Sequence, residues 1–471
     1  MSRRASVIGA GPNGLAAAIV LAQAGFEVDV FEAEAQPGGG ARTLELTIPG
    51  FRHDFGSAVH PLAVGSPFFS TLPLASLGLE WVHSPSTLAH PFDDGTAITL
   101  ERDFSANDAA LGKDAKVWRR LMEPLAKNWS VLSEEVLCPV HIFSRHPWLL
   151  ARFGLSALPS ANALSRFLFR DERTKALFAG LAAHSFLSLD EPLSAGVGVL
   201  LGAAAHAVGW PIPRGGAQSL TNALCGHLAN LGATIETSAR VEKLHDLPQY
   251  DVTLCDVTPR QLLRIAGDRL SASYQRQLGT FRYGPGTFKV DYALNSPIPW
   301  KARECLQAAT VHLGGSAADI TASEAEVRSG KHADRPFVLL AQPSLFDPAR
   351  APEGKHVAWA YCHVPNGSNL DMLSQLEGQI ERFAPGFRDT VLARRVFSPT
   401  ALEAMDANLI GGDIGGGALD IRQFLFRPTW RHYATSARDL YICSSSTPPG
   451  AGVHGMCGYH AARSALSRFG R

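Results

Sequence analysis

Residues 3–32 read RRASVIGAGPNGLAAAIVLAQAGFEVDVFE. A short apolar run stops at Gly9, small and aliphatic residues run from Pro12 to Gly25, and FEVDVFE alternates apolar with polar as far as Glu32. The pattern predicts strand, glycine turn, helix and strand within about thirty residues. Gly9, Gly11 and Gly14 have the spacing G-x-G-x-x-G. The three glycines serve different ends. Gly9 makes the tight turn, Gly11 lets backbone approach a pyrophosphate, and Gly14 lets the helix pack on the strand. The helix that opens with Pro12 and Asn13 offers free N–H groups and a partial positive charge to phosphate. Glu32 stands eighteen residues past Gly14, the place of an acid that takes a ribose hydroxyl. Three glycines alone are a weak signal; with strand, helix and acid in order they point to a dinucleotide.

The chain continues from Ala33 as AEAQPGGGARTLEL, in which Gly38, Gly39, Arg42 and Thr43 form G-G-x-x-R-T directly after the acidic strand. An arginine there can meet the pyrophosphate from its second side. This start resembles the FAD-binding segment of the glutathione-reductase-type flavoproteins, and within them the phytoene desaturase and amine oxidase branch. GFRHDFGSAVHP (50–61), with Gly56 and Ser57, is similar to the segment that in that branch passes close to the isoalloxazine. The resemblance implies FAD as cofactor.

A second G-x-G-x-x-G lies near the C-terminus at Gly450, Gly452 and Gly455, between a strand-like DLYICSSS (439–446) and a helix-like GMCGYHAARSALSRFG (455–470). Pro448 and Pro449 stiffen the turn, and sixteen residues after Gly455 leave no room for a second strand and a ribose acid. The segment instead resembles the T-x-P-G-x-G-V-x-G of the phytoene desaturase family through Thr447, Pro449, Gly450, Gly452, Val453 and Gly455. The resemblance implies that this helix start faces the flavin pyrimidine ring, where an N-terminus stabilises charge developing on reduction. A third piece, GWPIPRGGAQSLTNALCGHLANLGATIETSARVEKL (209–244), is similar to the family's P-x-G-G turn, helix and strand pair, and implies Val241 at the adenine end.

The expected fold is therefore α/β, a discontinuous Rossmann-like FAD-binding domain plus an α+β substrate-binding domain. Residues 1–65, 205–279 and 426–471 make up the FAD-binding parts, 66–204 a mostly helical substrate or lid region, and 280–425 a substrate-binding sheet. Within the last, TFKVDYAL, FVLLAQ and HVAWAYCHV alternate like strands. NLIGGDIGGGALDIRQFLFRP (408–428) places five glycines around Asp413, the pattern of backbone approaching something flat or of a structural turn.

Composition narrows the function. Across 471 residues, 46% hydrophobic and 18% charged, Lys+Arg and Asp+Glu balance at 43 each, which gives no support to nucleic-acid binding. Seven cysteines, the closest pair fourteen residues apart, offer no C-x-x-C couple or zinc knuckle and fit reduced thiols in a cytoplasmic protein. No metal cluster offers itself. MSRRASVIGAG has the outline of a signal peptide, but its glycines interrupt the apolar helix a signal needs, and it reads as mature sequence. LSAGVGVLLGAAAHAVGW (193–210) is about the minimum length to span a bilayer but carries four glycines and reads as a buried helix. HIFSRHPWLLARFGLSALPSANALSRFLF (141–169), aromatic with arginines interleaved, is the pattern of a membrane-surface helix, of a lid over a greasy tunnel, or of a core helix.

The leading expectation is an FAD-dependent oxidoreductase of phytoene dehydrogenase type. It would oxidise, desaturate or isomerise an apolar, isoprenoid or lipid-like substrate by hydride transfer to flavin N5. His60, Asp413 and His454 are candidate catalytic helpers because their motifs point at the flavin. A flavin amine oxidase and a non-catalytic lipid-binding module of the Rab escort or GDP-dissociation-inhibitor type are the alternatives. The electron acceptor stays open among oxygen, quinone and NAD(P), as do oligomeric state and membrane-surface association.

Overall fold

The computed structural model describes residues 3–140 and 144–470. Residues 141–143, which begin the arginine-interleaved stretch, lie outside that range. Five strands form one parallel sheet in the order Thr234–Glu236, Phe26–Phe31, Arg3–Ile8, Val252–Cys255, Leu440–Ile442. The first strand sits at its centre, so both of its faces are covered and Ala5, Val7 and Ile8 are buried. Helices Pro12–Gln23, Gln218–Asn230 and Met456–Ser467 pack into the same apolar core.

The first helix begins with Pro12 after Gly11, which has no side chain to cap it, and stops before Gly25 at φ 83°. Its small residues let neighbours close in. A Cβ on Gly14 would lie 2.0 Å from the Gly9 carbonyl oxygen, and one on Gly458 of the last helix 1.8 Å from the Asn13 carbonyl oxygen. Glycine at 14 is thus a packing requirement between helix and strand, as its spacing implies, and Gly458 does the same between two helices.

A seven-stranded sheet forms the second layer, in the order Val391–Phe397, Gly286–Leu294, His356–Val364, Val338–Ala341, Thr310–Leu313, Leu88–Pro91, Ala97–Leu100. The last two strands come from 66–204, expected to be mostly helical. They form a hairpin around Asp93-Asp94-Gly95, with Gly95 at φ 83°, a turn that the helical reading of the region passed over. Apart from the short strand Trp81–Val82, paired with Ile212–Pro213, the other regular elements of that insertion are helical, and Ala115–Lys127 and Trp129–Val136 are separate helices divided at Asn128. Helix Ser194–Ala207 is largely buried, and among the described residues no helix is long and apolar enough to cross a membrane. After Gln218–Asn230 a single strand, Thr234–Glu236, forms where a strand pair was expected, and Val241 follows outside it, packed with Ile8, Cys255 and Val257.

Successive residues of a strand face opposite ways. On one face of the large sheet Phe288, Val290, Tyr292, Val311, Leu340 and Ala360 meet Leu376 and Ile380 of helix Leu373–Phe383 in an apolar core. The other face presents Lys289, Asp291, Thr310, His312, Trp359 and Tyr361, all buried, toward the parallel-sheet domain. Buried charge ties the two layers together. Arg350 Nη2 reaches Asp54 Oδ2 at 2.6 Å, and Thr43 Oγ1 and the Ala217 N–H also donate to Asp54, at 2.8 and 2.9 Å. Burial alone would raise the Asp54 carboxyl, but the Arg350 charge and these bonds hold it below its ordinary value.

Candidate active site

A cavity of about 690 Å³ runs between the two layers. At one end it is lined by Gly11, Pro12 and Asn13 at the mouth of the first helix, and by Gly39, Gly40 and Ala41. Gly56 and Ser57 continue the wall, and Gly452 and Val453 of the second glycine loop close it. The surface here is mostly backbone. Gly56 N–H donates to the Gly40 carbonyl at 3.0 Å, and a Cβ on Gly39 would lie 3.4 Å from the Gly11 Cα, so the glycine segments interlock.

Other residues expected at the cofactor shape this wall from behind. Glu32, buried at the end of its strand, accepts the Ala10 N–H at 2.7 Å and the Glu34 N–H at 2.9 Å. Arg42 donates to the carbonyls of Gly39 and Met405 at 2.8 and 2.9 Å, so it braces the Gly38–Ala41 turn with both bonds committed to backbone. Thr43 is committed to Asp54 and the Gln218 N–H. Gly9 and Gly38, at φ 99° and 132°, hold turns that a side chain would strain. Gly455, at φ 70°, starts the last helix, and a Cβ there would lie 2.4 Å from Phe69, so it serves packing rather than contact with the cavity.

The three candidate helpers have different situations. His60 lines the cavity with Nε2 3.0 Å from Ser57 Oγ, and burial pushes its ring down to about 4, so it is neutral. Asp413 also lines it but accepts the N–H groups of Gly284 and Gly415, each at 2.7 Å, which clamps the glycine-rich loop. His454 Nδ1 accepts the Met456 N–H at 3.0 Å and so caps the last helix.

Several lining groups carry no sequence motif. Asp256, at the end of strand Val252–Cys255, puts Oδ2 2.8 Å from the Gly14 nitrogen, inside the helix mouth. Burial pushes its carboxyl up to about 7, with the charges of Asp406 and Glu32 adding and the Gly14 bond opposing. Arg427, buried, donates to the carbonyls of Gly416 and Ser445 at 3.0 Å each and joins the glycine-rich loop to the second glycine loop. Tertiary folding alone brings residues so far apart in the chain together. One signal was legible: GTFKVDYAL and HVAWAYCHV place polar and aromatic residues at every second position, and a strand buried on both faces does not need that for packing.

The far part of the cavity is apolar. Leu150, Phe153 and Leu158 line it from the stretch that follows residue 144, with Val197 and Leu200 opposite. Helix Pro147–Ala157 buries only Ala157 among its eleven residues, so it lies at the surface over the cavity and is not a core helix. Its outer side is apolar too: Trp148 is 88% exposed, Leu155 78%, and Phe167 of the next helix 87%.

Residues 7–69 match the family description of an NAD(P)-binding Rossmann-like domain. Over 97% of its length the chain is 28% identical to 92% of mouse pyridine nucleotide-disulfide oxidoreductase domain-containing protein 2. It is 26% identical to a lycopene-forming phytoene desaturase of Pseudescherichia vulneris, covering 96% of each. Among solved structures, an oxidoreductase from Methanosarcina mazei superposes with a TM-score of 0.68 at 19% identity, over 98% of this chain and 100% of that one, a likeness of fold.

Proposed function

We propose that the chain is a phytoene desaturase-like oxidoreductase that holds FAD along the glycine-lined wall and oxidises an apolar substrate in the adjoining chamber. One observation carries this reading: a single cavity whose two ends differ in kind, glycine backbone and a helix mouth at one, aliphatic and aromatic side chains at the other. The fit to the cofactor rests on the chain's own groups. Gly11 and Gly39 leave backbone bare where a pyrophosphate needs close approach, and Asn13 Oδ1, an acceptor buried without a protein partner, is open to a hydroxyl of the cofactor. Asp256 at the helix mouth holds its proton up to about pH 7, which removes a negative charge that would repel phosphate. Glu32, in the position of the ribose acid, is held by Ala10 and Glu34.

FAD, when bound, supplies a hydride acceptor at N5. The chain supplies the rest. Helix Pro147–Ala157 lends the chamber the apolar side chains of Leu150 and Phe153, and His60 stays neutral beside Ser57. The exposed Trp148, Leu155 and Phe167, with Arg152 and Arg166 on the same two helices, give this surface the character of a membrane-surface element. An apolar substrate would enter there from a lipid phase.

The test is the visible spectrum of the purified protein, followed by anaerobic photoreduction. Oxidised-flavin bands that bleach on reduction support the reading. A colourless protein that takes up no added FAD overturns it and favours a lipid-binding module without redox chemistry.

A further inference from the structure

Where the large sheet faces the cavity, it carries hydrogen-bonding groups with nothing to bond. Thr310, Ala341 and Trp359 stand in register across three strands, with His312, Leu339 and Tyr361 in the next row. Thr310, Trp359 and Tyr361 line the cavity. Thr310 Oγ1 and Trp359 Nε1 are buried without a partner, in residues 1% and 5% exposed, and the Tyr361 hydroxyl makes no hydrogen bond among the described residues. The Trp359 and Tyr361 rings stack at 5.6 Å and pack on Ala58, with Val59 and Ile414 alongside, so the three groups are fixed in place. An apolar chamber needs no such row. Leucine or phenylalanine at these positions would leave no donor unsatisfied.

The charge around the row narrows what it takes. Asp291 is paired with Lys289, Glu324 Oε2 lies 2.8 Å from His363 Nδ1, and Arg328 is bound to Glu191. His184, which lines the cavity 3.1 Å from His312, is pushed by burial down to about 3, and His312 falls as well, so neither ring is charged. Asp291 and Arg328 are thus already committed to opposite charges and Glu324 to His363, although Asp291 Oδ1 and Glu324 Oε1 accept no hydrogen bond. The indole N–H can only donate, which calls for an oxygen acceptor.

We propose that Thr310, Trp359 and Tyr361 form a specificity site for a neutral oxygen function, a hydroxyl or a carbonyl, on an otherwise apolar substrate. This rests on the reading of the cavity as the substrate chamber. The substrate is then amphipathic, and a bare hydrocarbon of the same skeleton binds with Thr310 Oγ1 and Trp359 Nε1 left buried and unpaired and with the Tyr361 hydroxyl unused.

Farnesol, farnesene and farnesylamine, delivered from cyclodextrin, test this through quenching of tryptophan fluorescence, since Trp359 and Trp210 both line the cavity. Wild-type protein should bind farnesol about ten- to a hundredfold more tightly than farnesene. Thr310→Val and Tyr361→Phe, which change shape little, should each weaken farnesol and leave farnesene unchanged. Equal wild-type affinities for alcohol and hydrocarbon overturn the proposal, as does tightest binding of the amine. An alcohol preference that survives in both variants overturns the assignment to these residues. The flavin spectrum of the same samples separates the two readings. Flavin present without alcohol preference refutes this site alone, and alcohol preference without flavin refutes the cofactor assignment alone.

Discussion

Replacing Asp256 with asparagine should change how the protein's stability depends on pH. In the folded chain its carboxyl accepts the Gly14 N–H at 2.8 Å, and burial raises it from 3.8 to about 7. Unfolded, the same group ionises near the ordinary carboxylate value. Between those values the folded protein keeps a proton that the unfolded chain has released. This contribution is therefore fully present below about pH 4 and is lost as pH rises through about 7. At 1.36 kcal/mol per tenfold, the loss is about 4 kcal/mol. Asp256→Asn keeps an oxygen for the Gly14 N–H and cannot ionise, so it escapes the loss. Unfolding entropy of roughly 2.1 cal/mol/K per residue makes 1 kcal/mol worth about 1 °C in a chain of 471 residues. About 3 kcal/mol of that loss falls between pH 4.5 and pH 8, so the melting temperature of the variant, relative to wild type, should climb by about 3 °C over that range. Differential scanning calorimetry of both proteins at matched flavin content measures it. A difference that stays constant across that range would mean that Asp256 is ionised throughout, and the account of the helix mouth would fail with it.

Other perturbations separate binding from packing. Glu32→Gln, with one acceptor oxygen for two backbone N–H groups and a ribose, should weaken FAD binding by about ten- to a hundredfold, read from flavin fluorescence released on dilution. Gly455→Ala meets both φ 70° and a Cβ 2.4 Å from Phe69, and should cost about 2–5 kcal/mol in denaturant unfolding. Gly232→Ala, at φ 84° with nothing within 4 Å, should cost about 1–2 kcal/mol. Equal costs at 232 and 455 would refute the packing role of Gly455. Trp148→Glu with Phe167→Glu should reduce co-sedimentation with anionic lipid vesicles severalfold while the flavin spectrum stays intact; unchanged sedimentation would remove these two helices from any membrane role.

The sequence by itself determined the dinucleotide fold, because that part of the structure is local. Strand, glycine turn, helix and acid lie within residues 3–32, and backbone sterics leave few alternatives to glycine at positions 9 and 14. The second glycine segment was legible by resemblance as a wall of the same cavity, which Gly452 and Val453 line. Alternation also exposed three strands of the large sheet, Gly286–Leu294, Val338–Ala341 and His356–Val364, though not Thr310–Leu313, Val391–Phe397 or the hairpin of residues 88–100, whose short runs carry too few repeats of the pattern.

What each side chain does there was decided only by tertiary structure. Arg42 and Thr43 carry motif letters, yet their hydrogen bonds go to backbone and to Asp54. His454 lies in the loop that reaches the cavity, but its ring turns back to cap a helix. Asp256 and Arg427 have no motif at all and acquire their place because strands and loops far apart in the chain converge on one cavity. The row of Thr310, Trp359 and Tyr361 is the clearest case. The period of two says that these residues face away from the aliphatic core, but only the order of strands brings them side by side, and only the covering layers remove the water that would otherwise satisfy them.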